Sequence, residues 1–352
     1  MVTRSARRTI ERRAALLLLG SGALLVGCTN DESATTAGSS PSASRATTDA
    51  PVVASLPPAT TGTAPPDAVI PVPATGSASE PSGPDTAQDT VPDPTTLASF
   101  VPVNADPADF AAERFTAASN APNPWFPLTP GYQSVRQGEV NKGSRRLPHQ
   151  RVLTVTDATK EIAGVRATLV LDQDFDGGEL SEQALDFLAQ DQDGNVWYLG
   201  SYTEAYEGGE FVNANDAWLA GVDGAKAGIL MMADPQPGMA RYAQATVPGE
   251  GTAKAEILER DLSLCVPFKC FTEVLLIQED GSENTYYAPG AGGIRLEPVS
   301  GDPQETEELI NLTQLGEQGL AELSDEAVRL DQHAHREASD VFGDSADAAR
   351  AT

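Results

Sequence analysis

A chain of 352 residues with 23 Lys and Arg against 51 Asp and Glu carries a formal net charge of −28. Such a surface repels phosphates, which excludes DNA and RNA as partners, because nucleic-acid binding needs cations that displace counterions from the backbone. It also repels anionic lipid head groups, so any hold on a membrane must come from something other than a basic patch.

Residues 1–27 read as an export signal. Arg4, Arg7, Arg8, Arg12 and Arg13 form a basic start, and Ala14 to Val26 form an apolar stretch too short to span a bilayer. Arg12-Arg13-Ala14-Ala15-Leu16-Leu17 resembles a twin-arginine signal with a weak Ala15, and the general secretory route stays open beside it. Leu25-Val26-Gly27-Cys28 then resembles a bacterial lipobox, with polar Thr29-Asn30-Asp31 behind it. The expectation is cleavage before Cys28, a lipid (diacylglyceryl, with palmitate among the acyl chains) on its thiol, and a mature protein held on the extracytoplasmic face of a bacterial cell membrane. Loss of the leader's five arginines and one glutamate moves the net charge from −28 to −32.

Residues 28–98 are mostly Ala, Ser, Thr and Pro, and no aromatic residue occurs before Phe100. A segment this poor in large apolar side chains cannot offset its ordering entropy, so it reads as a disordered tether. As a flexible coil it would reach roughly 45 Å from the anchor, and its prolines would extend it further.

Residues 99–340 have the length of a single domain, and hairpin signals dominate them. Pro107 to Ser119 reads as a short helix. Strands are expected at His149–Thr156, Val165–Leu171, Glu179–Gln190, Val196–Leu199 and Phe211–Val212, separated by Asp176-Gly177-Gly178, Asp193-Gly194-Asn195 and Glu207-Gly208-Gly209, which supply the backbone of tight turns. Others are expected at Ala240–Val247, Lys254–Leu264, Phe271–Gln278, Asn284–Tyr287, Gly293–Val299 and Thr306–Leu312. Leu315, Leu320, Leu323, Ala327 and Leu330 then share a helical face, predicting an amphipathic helix over Gln314–His333 capped by Thr313. The fold class is mainly β, an antiparallel meander curled into a half-barrel or open barrel, with a short N-terminal helix and a C-terminal helix that plugs or lines it. Residues 341–352 are expected to be a disordered tail.

Candidates for chemistry are few. Asp172, Asp174, Asp176 and Gly177 begin like a calcium-binding loop, since carboxylates at alternate positions can converge on a hard cation. Glu179 and Gln183 then break the pattern, and an acidic hairpin turn is the simpler reading. His149 stands alone, and His333-Ala334-His335 has the wrong spacing for a helical metal pair. No Gly-x-Ser-x-Gly, His-Glu-x-x-His, Walker or Rossmann motif is present, so no catalytic residue, metal or cofactor is nominated. With Cys28 committed to lipid in an oxidising compartment, Cys265 and Cys270 are expected to form a disulfide.

Four phrases carry a resemblance: Asn123-Pro124-Trp125-Phe126-Pro127-Leu128-Thr129-Pro130-Gly131, Asp193-Gly194-Asn195-Val196-Trp197-Tyr198, Ala220-Gly221-Val222-Asp223-Gly224-Ala225-Lys226-Ala227-Gly228 and Tyr286-Tyr287-Ala288-Pro289-Gly290. Together they resemble a family of secreted bacterial lipoproteins with no assigned function, over roughly residues 120–340. More distantly they are similar to periplasmic curved-sheet carriers of the LolA and LolB type. That resemblance implies a concave sheet with an apolar interior and no catalytic residue. The chain departs from the family pattern at Gly131-Tyr132-Gln133-Ser134-Val135, where a Trp-x-Tyr strand is usual, which leaves the pairing of the first strand open.

The functional expectation is a non-catalytic ligand-binding or carrier domain on a lipid anchor. Trp125, Trp197, Tyr198, Trp218 and the Ile229-Leu230-Met231-Met232 run, Met231 and Met232 above all, are the candidate wall residues, and the partner is a small apolar ligand or an envelope protein. An envelope scaffold is the first alternative. A metal-dependent or hydrolytic enzyme is the second.

Overall fold

A computed structural model describes residues 110–116, 122–299 and 305–351. The signal peptide, Cys28, the tether and both ends of the expected N-terminal helix lie outside the described residues; within its described part, 110–116, one 3-10 turn is seen, Ala112–Phe115. The strands are β1 (Tyr132–Lys142), β2 (Arg145–Ile162), β3 (Val165–Asp176), β4 (Glu179–Gln190), β5 (Val196–Glu207), β6 (Glu210–Leu219) and β7 (Lys226–Met231). Then come β8 (Tyr242–Val247), β9 (Gly251–Cys265), β10 (Cys270–Glu279), β11 (Glu283–Ala288), β12 (Gly292–Pro298) and β13 (Glu305–Gln314). Helices α1 (Glu317–Glu337) and α2 (Ser339–Phe342) and strand β14 (Ala349–Arg350) complete the chain.

The expected antiparallel meander is present, and its curl runs to closure. The order β1-β13-β12-β11-β10-β9-β8-β7-β5-β4-β3-β2 returns to β1 and makes a barrel of twelve strands. Strand β1 is the closing element, paired with β2 from Gln133↔Thr154 to Lys142↔Arg145 and with β13 from Tyr132↔Gln314 to Val140↔Glu305. Gly138 permits this, since a Cβ there would lie 1.7 Å from the Thr306 carbonyl oxygen. On the edge away from β4, strand β5 serves two partners: Val196–Tyr198 pair with β7 and Gly200–Glu207 with β6, so β6 leaves the barrel path.

Local chemistry places the hairpins where the sequence predicts them. Gly177 and Gly178 have φ of 64° and 89° between β3 and β4. Between β4 and β5 the buried Asp191 carboxylate accepts from the backbone N–H of Asp193 (3.0 Å) and Asn195 (2.8 Å) and from Trp197 Nε1 (2.9 Å), which fixes the turn. Strands β1 and β7 have no period-two signal of their own; β7 is a short run buried nearly throughout, where alternation says nothing.

The pleat separates two faces. Arg136 and Gly138 of β1, His149, Arg151 and Leu153 of β2, Asp172, Asp174 and Asp176 of β3 and Asp186 of β4 share one face by register. It is the barrel interior, because a cavity on that side is lined from β1, β2, β4, β7, β10, β11 and β12. Leu169, Leu171, Leu185 and Phe187 point outward and are buried under α1 and α2. Here the expectation of a helix that plugs or lines the barrel is corrected: Ser324, Ala327, Leu330, Asp331 and Ala334 form the buried stripe of α1 on the outer face of the wall. Small residues in that stripe let the helix lie close to the sheet. Its N-cap is Gly316 with no side-chain cap bond, whereas Thr313 belongs to β13.

The tail expected to be disordered is also corrected. Phe342 is fully buried, with ring centroids 5.9 Å from Phe187 and 5.6 Å from Tyr202. Strand β14 pairs with β2 through Ala349↔Thr159 and Arg350↔Ala158. Elsewhere the outer wall carries ion pairs, Arg295 with Glu297 and Glu308 and Arg241 with Glu256, the opposite of a lipid-facing belt.

Candidate functional site

The interior is where this barrel departs from an ordinary apolar core. His149 of β2 stands beside Asp176 of β3 and Gly138 of β1. Gly138 contributes no side chain, so the space next to the imidazole is filled from one strand further on, by Glu305 and Glu307 of β13. His149 is 4% exposed. Its Nδ1 lies 2.8 Å from Asp176 Oδ1, and its Nε2 lies 3.1 Å from Glu305 Oε1, 3.3 Å from Glu307 Oε1 and 3.7 Å from Asp174 Oδ1. Lys142 Nζ holds Asp176 at 2.8 Å.

A second layer is built from two guanidiniums. Arg136 Nη1 meets Glu307 Oε2 at 3.0 Å. Arg151 grips Asp172 with both arms of its fork, Nε donating to Oδ1 at 2.8 Å and Nη2 to Oδ2, and its Nε lies 3.9 Å from Asp174. Planar two-point pairing of this kind is what makes buried arginine tolerable.

Burial and charge pull the titrations apart. Burial opposes the charged imidazolium of His149, but the carboxylates of Asp176, Glu305 and Glu307 outweigh it and push the pKa up to about 12. Burial raises Asp176 too, yet His149 and Lys142 bring it down to about 2. Asp174 is held above its ordinary value by burial and by the negative charge of Asp172. With Arg151 pushed well above its usual value by Asp172 and Glu307 against the cost of burial, the layers form one coupled network.

Beyond the guanidiniums lies a cavity of about 110 Å³. Arg136, Arg151, Asp186 and Glu279 bring both signs of charge to its wall, and Leu153, Leu230 and Phe126 supply apolar surface. Asp186 accepts from the Tyr198 hydroxyl at 2.7 Å, and Glu279 from the Tyr287 hydroxyl at 3.2 Å. Tyr132 also lines it; burial pushes its pKa up, so it stays a donor, and its buried hydroxyl has no hydrogen-bond partner among the described residues.

The residues nominated from sequence fall mostly elsewhere. Trp125, Trp197, Tyr198, Trp218, Met231 and Met232 are all in the main hydrophobic core, and none of them lines the cavity. Trp197 packs on Phe110 and Phe115, Tyr198 packs edge-on against Trp218 at 5.1 Å, and Arg260 sits 5.4 Å over Trp125. Leu230, from the nominated run, does line the cavity, since it faces the opposite way from Ile229 and Met231 on β7, and Phe126, next to Trp125, lines it as well. Asp172, Asp174 and Asp176 lie on strand β3 rather than on a loop, and each meets a cation of the interior network. Cys265 and Cys270 form the expected disulfide across the β9–β10 hairpin.

His333 and His335 belong to clusters outside the barrel that fasten α1 to the wall. Glu204 accepts from the Tyr202 and Tyr206 hydroxyls and meets His333 Nδ1. Lys160, with its side chain fully buried, reaches Asp331 at 2.8 Å and His335 at 3.3 Å. Sequence reasoning did not single out Arg136, Arg151, Glu305 or Glu307. A signal existed, in that His149-x-Arg151, Asp172-x-Asp174-x-Asp176 and Glu305-x-Glu307 each put charges on one strand face.

Three of the four phrases that carried the family resemblance meet in space. The Asn123 amide donates to the Gly194 carbonyl at 2.9 Å and to Met232 at 3.0 Å, while its oxygen accepts from the N–H of Trp125 and Phe126. Gly290 N–H donates to Pro124 at 2.7 Å. The phrases therefore strap the segment before β1 across neighbouring turns and assemble no reactive centre.

Comparison with known proteins adds little. No family model matches the chain, and no curated protein matches it. Two crystal structures are similar: a protein assigned as exported, with a YmcC-like fold, from Bacteroides fragilis, at 14% identity and a TM-score of 0.29, covering 54% of this chain and 98% of that one; and one assigned as a lipoprotein, from Parabacteroides distasonis, at 12% identity and 0.28, covering 55% and 100%. Similarity at that level carries neither a fold assignment nor a function to this chain.

Proposed function

We propose that the chain is a lipid-anchored extracytoplasmic binding protein that holds a small polar ligand inside its barrel and performs no chemistry on it. The anchor rests on the Leu25-Val26-Gly27-Cys28 phrase and the leader before it. The binding role rests on one observation: a cavity of about 110 Å³ with charges of both signs on its wall and the Tyr132 hydroxyl without a partner among the described residues. A buried donor without an acceptor costs about 1–3 kcal/mol, which a ligand or ordered water recovers.

Size and polarity revise the expected ligand. Pockets for drug-sized ligands run to about 300–1,000 Å³, and a carrier of acyl chains needs an apolar groove. This interior suits a few polar heavy atoms, a zwitterion or a small anion with a donor group, and not a lipid tail. The interaction-module reading has one observation in its favour, the exposure of Phe211 (37%) and Val212 (48%) at the start of β6.

NMR of the soluble domain, titrated with small zwitterions, small anions and a fatty acid in turn, tests the proposal. A polar solute should shift signals of Arg136, Arg151 and Tyr132, and Leu153→Trp, which fills the cavity, should abolish the shift. Shifts confined to Phe211 and Val212, or produced by the fatty acid alone, would overturn the polar-ligand reading.

A further inference from the structure

The carboxylates around His149 outnumber the cations that hold them. Ion pairs connect Asp172, Asp174, Asp176, Glu305 and Glu307 to Arg136, Lys142, Arg151 and the imidazole. Five acids against three permanent cations leave the cluster net negative whether the imidazole is charged or neutral. The Glu307 side chain is 0% exposed and that of Asp172 1%, so water cannot absorb that excess.

His149 gives the excess a focus. Its side chain is 3% exposed, Nδ1 is held by Asp176, and Nε2 makes no hydrogen bond among the described residues while facing three carboxylate oxygens at 3.1, 3.3 and 3.7 Å. We propose that the barrel binds one divalent transition-metal cation of the zinc or manganese class, with His149 Nε2, Asp174 and Glu307 as its ligands.

Ligands about 2.1 Å from such an ion stand about 3.0 Å apart in adjacent octahedral positions and about 3.4 Å apart in a tetrahedron; the 3.3 Å from Nε2 to Glu307 falls in that range, and the 3.7 Å to Asp174 lies just beyond it. The His149, Asp174 and Glu307 donor atoms all lie within 4.8 Å of one another. Supporting contacts have the arrangement that metal sites use. Asp176 accepts from the far nitrogen of the imidazole and so aims Nε2 inward, and Glu307 meets Arg136 through Oε2 and His149 through Oε1. Calcium fits less well, since it takes about six to eight oxygen ligands and no nitrogen. Of the acidic triplet on β3 only Asp174 serves: Asp172 is turned to Arg151, and Asp176 lies behind the imidazole.

This site lies outside the cavity lining and goes beyond the ligand-binding reading. Its ligands come from β2, β3 and β13, on both sides of the closing strand β1 at Gly138. A bound ion would therefore clamp the barrel at its seam.

The mature chain, stripped with a chelator, can be titrated with Zn²⁺ and with Mn²⁺ by calorimetry, with thermal unfolding in parallel. One equivalent of one of these ions should bind and raise the melting temperature. Affinity should fall at least tenfold in His149→Gln and in Asp174→Asn and stay unchanged in His333→Gln. Because a variant of this network can fail to fold, Co²⁺ added to the wild-type chain provides the independent reading, a visible ligand-field spectrum at one equivalent. A folded wild-type chain that binds none of the three ions, or a folded His149→Gln that binds one as tightly as wild type, would overturn the site. Neither result bears on the cavity, whose titration is scored at Arg136, Arg151 and Tyr132.

Discussion

Arg151 shows how much the interior depends on single charges. Its fork is the bidentate partner of Asp172, whose side chain is 1% exposed. Truncating one member of such a pair leaves the other charge buried, which costs about 3–5 kcal/mol, whereas replacing both by apolar groups is often close to neutral. Arg151→Met should therefore lower stability by about that amount in urea denaturation, and Arg151→Met with Asp172→Leu should recover most of it. If the double variant were no more stable than the single one, the pair would not be the unit of stabilisation. Asn123 acts at the same scale without charge, since one amide fixes the strap to two turns and to its own following residues.

At the scale of elements, closure is the decisive event, and two glycines separate its causes. A Cβ at Gly138 would strike the backbone of β13, while one at Gly178 meets nothing within 4 Å and is strained only by φ of +89°. Gly178→Ala should cost about 1–2 kcal/mol, the ordinary cost of a left-handed residue. Gly138→Ala should cost clearly more and expose the β1 and β13 amides to hydrogen exchange; equal losses at the two positions would mean that the close approach at Gly138 is unimportant. The C-terminal strand responds to pH instead. The Arg350 guanidinium donates to both oxygens of Asp157 and lowers the pKa of that carboxyl. A carboxyl depressed on folding stabilises above its unfolded pKa and stops doing so as pH falls through its folded value. Both partners are partly exposed, so the effect is local: amides of β14 should lose protection on acidification before those of β3 do, and simultaneous loss would show that the pair does not hold the strand.

For the molecule as a whole, the proposed anchor at Cys28 should be separable from the domain. Cys28→Ser should leave a folded domain in the soluble fraction, read by membrane fractionation and by circular dichroism; a variant that stayed with the membrane would refute the lipid anchor. The Cys265–Cys270 bridge closes a loop of only a few residues, so Cys265→Ser with Cys270→Ser should cost no more than about 2 kcal/mol and leave the barrel intact. The chain's large negative charge favours solubility over adhesion, which makes the release of the Cys28 variant easy to score.

Local chemistry determined the part of this architecture that was legible in the chain. Paired glycines after Asp176 and Glu207 and the Asp-Gly-Asn turn at Asp193 demanded hairpins, and period-two alternation filled most strands between them. The apolar spacing from Leu320 to Leu330 demanded a helix. None of these signals carries the sign of curvature or the identity of the strand that closes the seam, since pairing β1 with β13 joins residues near 135 to residues near 311. Nor does alternation say which face becomes the interior. The aromatic and methionine residues were natural candidates for a wall because large apolar groups usually line a concave sheet. Closure instead turned charged strand faces inward, where His149 and the Asp172, Asp174 and Asp176 row could meet Glu305 and Glu307 only once β13 had come round. A charged interior is a cooperative arrangement: each group is tolerable only when partners from distant strands are already in place, and that condition belongs to the tertiary structure alone.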